Sequence, residues 1–275
     1  MIRFPNAKIN LGLAVTERRP DGYHNLQTVF YPVQVCDALE VVRRAEPGIT
    51  LHESGLAVGT ASADNLVCRA YRLLAEEVGG LPGVDAYLNK QIPFGAGLGG
   101  GSADATFMLL MLNDEFHLGL SPERIEALSA RLGADCPFFC RNVPVYAEGT
   151  GNEFTDLNLS LRGHYLVLVK PPFGVSTKEA FGGIVPQRPE HSVREVVETM
   201  PVSAWRGLLM NDFERTVFPL YPELASIKER LYAQGALYAS MSGSGSTMFG
   251  IFASKPELPE GVFDGCFVRV LECKE

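Results

Sequence analysis

Residues Pro93 to Ala103 read PFGAGLGGGSA, and the run GAGLGGGS from Gly95 places five glycines before Ser102. Glycine carries no Cβ, so successive backbone N–H groups can converge on an anion, and a helix that starts there adds free N–H groups and the positive end of its dipole. Behind the loop, Ala103 to Leu112 is apolar on every side and rich in helix formers, which predicts a buried helix beginning near Ser102. A flexible linker would not sit between a strand and a buried helix, so a phosphate-binding loop is the better reading. The letters also satisfy GxGxxG at Gly95, Gly97 and Gly100. A dinucleotide fingerprint, however, follows directly on its strand and is followed by a strand ending in a ribose-binding acid, whereas here Pro93 and Phe94 intervene and no such strand follows. The Gly-Lys-Ser or Gly-Lys-Thr ending of a P-loop is missing too.

Outward from the loop, the first half reads as antiparallel sheet with helices. Ala7, Ile9, Leu11, Leu13 and Val15 alternate with Lys8, Asn10, Gly12 and Ala14, the period of a half-buried strand that puts Lys8 and Asn10 on one face. Arg19 to Gly22 is a turn leading through Tyr23 and His24 to a second strand near Thr28 to Val35. Asp64 is expected to cap a helix that Gly79 ends, a strand follows near Val84 to Gln91, and Ser121, Pro122 and Glu123 open another helix that delivers Asp135 just beyond its end. After Gly151 the composition shifts, and a boundary is expected between Glu153 and Gly163, dividing 1–156 from 157–275. The second half is expected to hold strands at Tyr165 to Val169, Ala236 to Met241, Thr247 to Phe252 and Cys266 to Leu271, with helices from Val193 and from Pro222. Between two of those strands lies a second small-residue loop, Ser240 to Thr247 (SMSGSGST), an ordinary hairpin by itself but a possible second wall of a phosphate site beside the first.

Composition bounds the chemistry. With 275 residues, 46% apolar and 20% charged, the chain has the make-up of a soluble two-domain protein, and no apolar stretch is long enough to span a bilayer. Its first ten residues do not read as a secretory signal, so a cytoplasmic protein is expected. A net charge of −8 with no basic run argues against a nucleic-acid partner. The six cysteines form no CxxC pair and read as reduced core residues, not zinc ligands. Phosphoryl transfer needs a carboxylate for the acceptor hydroxyl's proton and a cation to spread developing charge. Asp135, in LGADCPFF, and Lys8 are the candidates; equally, Lys8 could be a solvated strand residue and Asp135 a local backbone cap.

NAKINLGL from Asn6, DGYHNLQT from Asp21, PFGAGLGGGSADA from Pro93, LGADCPFF from Leu132 and SMSGSGST from Ser240 together resemble, in order and over nearly the whole chain, the GHMP kinase superfamily. The DGYH turn points within it to the kinases of the methylerythritol phosphate route to isoprenoids. The resemblance implies an α+β fold in two domains, each a mainly antiparallel sheet with packed helices, the active site lying in the cleft between them. It implies transfer of the γ-phosphate of ATP, with Mg2+ accompanying the nucleotide, to the 2-hydroxyl of a cytidine-diphosphate-linked methylerythritol. Lys8 and Asp135 match the catalytic pair. Pro93, Phe94, Gly95, Ala96, Gly97, Leu98, Gly99, Gly100, Gly101, Ser102 and Ala103 would hold the ATP phosphates, and Asn65 with Leu66 would lie against the adenine. Tyr23 and Phe181 would sandwich the cytosine, His24 would read its edge, and Asn10 and Thr177 would approach the linked sugar alcohol. Two residues depart from the family pattern: Ala103 stands where a second serine is usual, and Asp104 where asparagine is frequent, leaving open whether Asp104 turns away or meets magnesium. Other GHMP kinases, acting on mevalonate, homoserine or a sugar, and a non-catalytic ATP sensor are the alternatives. A monomer and a homodimer both remain open.

Overall fold

The computed structural model describes residues 1–57 and 64–274. In chain order the elements are β1 (Ile2–Arg3), β2 (Asn6–Arg18), β3 (His24–Cys36), β4 (Ala38–Arg44), β5 (Ile49–Gly55), α1 (Leu66–Val78), β6 (Gly83–Lys90), α2 (Gly100–Glu115), α3 (Pro122–Ala130), α4 (Cys136–Arg141), β7 (Val145–Glu148), β8 (Glu153–Asp156), β9 (Tyr165–Lys170), α5 (Thr177–Phe181), α6 (Val193–Thr199), α7 (Phe213–Leu220), α8 (Pro222–Ala233), β10 (Tyr238–Met241), β11 (Met248–Phe252) and β12 (Phe267–Glu272). They pack as two compact units that the chain enters more than once. One comprises Met1–Lys8, Gln34–Phe94 and Gly99–Asn142; the other comprises Ile9–Val33, Gly95–Leu98 and Val143–Glu275.

The first unit is a sheet of order β1-β4-β6-β5 covered by helices. β4 runs antiparallel to β6, pairing Leu39 with Leu88 and Val41 with Ala86, while β5 lies parallel to β6. The alternation of Leu39 and Val41 with Glu40 and Val42 sends the first two inward, against Val67 and Leu74 of α1 and Met108 and Leu112 of α2. α2 is apolar on almost all sides and its residues from Ala103 to Thr106 are buried, so its start is held by packing from several directions. α1 is capped by Asn65, one residue later than the expected Asp64: the Asn65 side chain accepts from the N–H of Val67, and Gly79 closes the helix at φ 77°.

The second unit carries two sheets. β3, β7 and β8 are joined antiparallel, next to β2. The other, of order β10-β11-β9-β12, is antiparallel throughout, and Val167, Ala239 and Met248 pack on Val217, Leu224, Ile227 and Leu231 of α7 and α8. The second strand expected near Thr28 begins four residues earlier, so His24 is the first residue of β3. Strands β1, β4, β5, β7 and β8 and helices α4, α5 and α7 were not anticipated from the residue pattern.

Candidate active site

In the first unit, Lys8 and Asp135 meet. Lys8 sits at the buried end of β2 with its side chain 4% exposed, and its Nζ lies 3.2 Å from Asp135 Oδ2, a carboxylate that keeps 35% of its surface. One charge is thus locked in the interior and the other reaches the surface, the division expected of a fixed cation and a carboxylate that must meet a ligand. Asp135 is placed by α4, whose first residues are tied to α2: the Thr106 hydroxyl donates to the carbonyl of Cys136 at 2.9 Å. Burial pushes the Cys136 thiol up to about 11, so it stays neutral beside the pair.

The glycine turn is built against the same lysine. Gly99, the residue before α2, stands at φ 71°, and a Cβ there would come within 3.0 Å of both Lys8 Cγ and the Phe139 ring. Only glycine permits both the backbone angle and the approach. A Cβ on Gly100 would lie 2.8 Å from Ile92 Cγ2, whereas one on Gly101 would lie 3.6 Å from Leu66 Cδ1, an ordinary contact. Leu66 therefore lies beside the turn. Asn65, next to it, spends its side chain on the fold, accepting from Val67 N at 2.9 Å and donating to Glu53 Oε1 at 2.8 Å. Ser102 is half-buried, Ala103 is fully buried with its N–H bonded to the carbonyl of Gly99, and Pro93 and Phe94 precede the turn, Phe94 being exposed. Asp104 turns inward, where its Oδ2 meets Lys90 Nζ at 2.7 Å.

In the second unit the two small-residue loops lie together. Gly97 stands at φ 72°, Ser242 Oγ donates to the carbonyl of Gly97 at 2.8 Å, and the N–H of Thr247 donates to the carbonyl of Ala96 at 3.1 Å. Leu98 is buried, and Gly95 is open, with nothing within 4 Å of where its Cβ would be. The second loop is held from behind by Asn211, whose amide donates to the carbonyls of Met241 and Gly243, both at 2.8 Å. Asn10 belongs to this group: its Oδ1 lies 3.3 Å from where a Cβ on Gly243 would be, and its amide donates to Thr28 Oγ1 at 3.0 Å. Thr177 lies at the second loop too, its hydroxyl 3.5 Å from that of Ser244.

The aromatic residues expected at the cytosine lie in the second unit. The His24 ring stacks on Phe181, with centroids 4.8 Å apart and planes at 20°, while Tyr23 is 67% exposed. Phe181 is set by Phe213, edge-on at 4.7 Å, and α5 is tied to α7 by the Thr216 hydroxyl, which donates to the carbonyl of Ala180 at 2.6 Å. Tyr23 is presented by its turn: Arg19 donates its N–H to the Tyr23 carbonyl at 2.8 Å, and Asp21 Oδ1 accepts from Tyr23 N at 3.1 Å. That backbone bond, against the opposing effect of desolvation and with help from Arg19, holds the Asp21 carboxyl below its ordinary value.

Family models match both parts of the chain: GHMP kinases N terminal domain over residues 65–142 and GHMP kinases C terminal over 189–262. The chain is 52% identical to 4-diphosphocytidyl-2-C-methyl-D-erythritol kinase of Bacteroides fragilis over the full length of both proteins. It belongs to the 4-diphosphocytidyl-2-C-methyl-D-erythritol kinase family. The protein of that name from Bacteroides thetaiotaomicron is 53% identical over 94% of this chain and 95% of its own. A crystal structure of 4-(cytidine 5'-diphospho)-2C-methyl-D-erythritol kinase superposes with a TM-score of 0.77 at 36% identity, covering 91% of this chain and 89% of that one. The two-domain α+β GHMP kinase fold expected from the motifs is the fold of this chain.

Four supporting residues have no role in the expectations above: Thr28 and Ser242, which lie inside quoted motifs, and Lys90 and Asn211, which lie outside them. Each is buried and polar or charged. For Lys90 a signal existed, since a lysine on the inward alternation of an apolar strand, in register with Leu88 and Ala86, requires a buried anion.

Proposed function

We propose that this chain transfers the γ-phosphate of ATP to the 2-hydroxyl of 4-diphosphocytidyl-2-C-methyl-D-erythritol, a step towards isoprenoid precursors. The observation that carries the reading is the contact of Gly99 with the stem of Lys8, whose ammonium lies 3.2 Å from Asp135: a phosphate-binding turn and a cation–carboxylate pair are built on one another. The backbone N–H groups of the glycine turn and the first turn of α2 receive the phosphates, with Leu66 against the nucleoside. Asp135 takes the proton of the acceptor hydroxyl as its oxygen attacks, and Lys8, 3.2 Å from that carboxylate, holds it in place and faces the charge that develops on the transferring group.

Magnesium enters as part of the nucleotide co-substrate. Among the described residues no three His, Cys, Asp or Glu side chains gather into a cation site, and Asp104, in the first turn of α2, is engaged by Lys90. Tyr23 offers a ring face to the cytosine, and His24, fixed by Phe181, offers its ring nitrogens to the base edge. Asn10 and Thr177 meet the sugar alcohol. Among the described residues no helix is long and apolar enough to cross a membrane. The six cysteines are free, which supports a reducing, cytoplasmic setting.

The test is ATP consumption with the cytidine-diphosphate-linked acceptor beside methylerythritol itself, mevalonate and homoserine. Turnover is expected with the first alone; phosphorylation of mevalonate or homoserine at a comparable rate would refute the acceptor assignment, and saturable ATP binding without any product would leave a sensor. In the same assay His24→Ala is expected to raise KM for the cytidine acceptor about tenfold, the worth of one lost hydrogen bond, with KM for ATP within about twofold of the parent. An unchanged acceptor KM removes His24 from base recognition.

A further inference from the structure

Beneath the glycine turn lies a cluster of three ionisable groups that the transfer of phosphate does not use directly. Lys90, the last residue of β6, has a side chain 4% exposed, and it bonds two carboxylates that are as deeply buried, Asp37 and Asp104. Asp37, between β3 and β4, is fully engaged: Oδ2 accepts from Lys90, and Oδ1 accepts from the N–H groups of Gln91 at 2.6 Å and Ile92 at 2.8 Å. Asp104, in the first turn of α2, is not. Its Oδ2 takes the other bond from Lys90 at 2.7 Å, while its Oδ1 is buried with no hydrogen-bond partner. The Lys90 ammonium itself lies 3.4 Å from where a Cβ on Gly100 would be, directly under the turn.

Two carboxylates around one ammonium, all ionised, leave an excess negative charge in the interior, a costly arrangement when one oxygen lacks a donor. With Asp104 protonated the cluster is neutral.

We propose that Asp37, Lys90 and Asp104 form the positioning device of the ATP-phosphate turn: Lys90 clamps the first turn of α2 to the end of β6, and the proton on Asp104 keeps the ground beneath that turn free of net negative charge. The inference rests on the assignment of the turn to ATP phosphates. Burial pushes the Asp104 carboxyl up to about 8, against the pull of Lys90 and with added push from Asp37. For Lys90, burial opposes the charge, but Asp104 and Asp37 outweigh it and raise its value. These two are the charged groups that act on Asp104. The buried residues that α1, α3, α4 and β4 pack around α2 are apolar, and the thiols among them, Cys68 and Cys136, are raised by burial.

The sign follows. As pH rises through about 8, Asp104 loses its proton, a negative charge appears under a turn that must attract a polyphosphate, and ATP binds less well while the cytidine acceptor is unaffected. The same proton acts on stability. An unfolded Asp ionises near its ordinary 3.8 and the folded one near 8, so the folded chain holds a proton the unfolded chain has released, and stability falls as pH rises across that window.

The experiment is steady-state kinetics of wild type and Asp104→Asn from about pH 6.5 to about pH 9.5, both substrates varied. Wild-type KM for ATP is expected to rise at least about fivefold from neutral to alkaline pH with acceptor KM within about twofold, and Asp104→Asn, which keeps the shape and discards the titration, is expected to lose that rise. Its melting temperature should also lose the fall between about pH 5 and about pH 8 that the parent shows. Lys90→Met is expected to raise KM for ATP about tenfold or more at neutral pH; if that variant does not fold, Asp104→Asn still decides. An alkaline rise kept intact in Asp104→Asn, or one shared by both substrates, overturns the device while wild-type turnover leaves the kinase reading standing. A wild type that consumes no ATP overturns both.

Discussion

Asp135→Asn should reduce turnover by about a hundredfold or more, with KM for ATP within about twofold of the parent. The substitution keeps the size and planarity of the side chain and removes its capacity to accept a proton. What surrounds it stays: Cys136 remains tied to Thr106, and the turn at Gly99 is set by Lys8 and Phe139, not by the carboxylate. The cost of losing an ion-pair partner falls on Lys8, whose ammonium is nearly inaccessible, so a drop in melting temperature is also expected. Stability and catalysis are separable here because Lys8→Met removes the buried cation and leaves Asp135 in place. If Asp135 is the base, Asp135→Asn is slow at every acceptor concentration, and Lys8→Met, which takes away the cation that holds the carboxylate, is slow too. Near-normal turnover of Asp135→Asn on the cytidine acceptor would remove the carboxylate from the chemistry and leave the pair a structural ion bridge.

The glycine turn was legible in the residues because its geometry leaves so few letters: Gly95, Gly97 and Gly99 all stand at positive φ, and any side chain at Gly99 would strike Lys8 and Phe139. The helix behind it was legible from its apolar surface on all sides. α4 was not, for six residues reading CPFFCR are too few and too uniformly apolar to show a period. β5 escaped for the opposite reason. Its residues ITLHESG are half-buried or exposed along the whole strand, so there is no alternation to find, and its place at the sheet edge beside β6 comes from pairing alone. The packing units were beyond a reading that moves along the chain, because β2 and β3 each contribute residues to both and the glycine loop itself changes unit at Gly95 and again at Gly99. Asp37 and Lys90 illustrate a further limit. The inward place of Lys90 calls for a buried anion but does not say which, and 53 residues separate it from Asp37, so the pair exists only once β4 and β6 are side by side.

Gly97→Ala should lower kcat/KM for ATP by about a hundredfold, against roughly tenfold or less for Gly95→Ala, although both glycines lie in the left-handed region. The backbone penalty of a Cβ at positive φ, about 1–2 kcal/mol, is common to the two. At Gly95, φ 59°, that is the whole cost, since nothing lies within 4 Å of the new atom. At Gly97 the Cβ would arrive 2.0 Å from the carbonyl oxygen of Ser242 and 3.1 Å from that of Gly245. Those are backbone atoms, with no flexible side chain to swing away, so the loops must part. Parting them loses the bond from Ser242 Oγ to the Gly97 carbonyl and the bond from Thr247 N to the Ala96 carbonyl, each worth about 0.5–1.5 kcal/mol. Asn211 keeps its hold on the far side of the second loop, so the displacement is borne by Gly95 to Leu98, part of the loop proposed to bind the ATP phosphates. The loss should therefore fall on ATP and spare KM for the cytidine acceptor. Equal effects of the two substitutions would mean that contact between the loops contributes nothing to nucleotide binding beyond the conformation of each glycine.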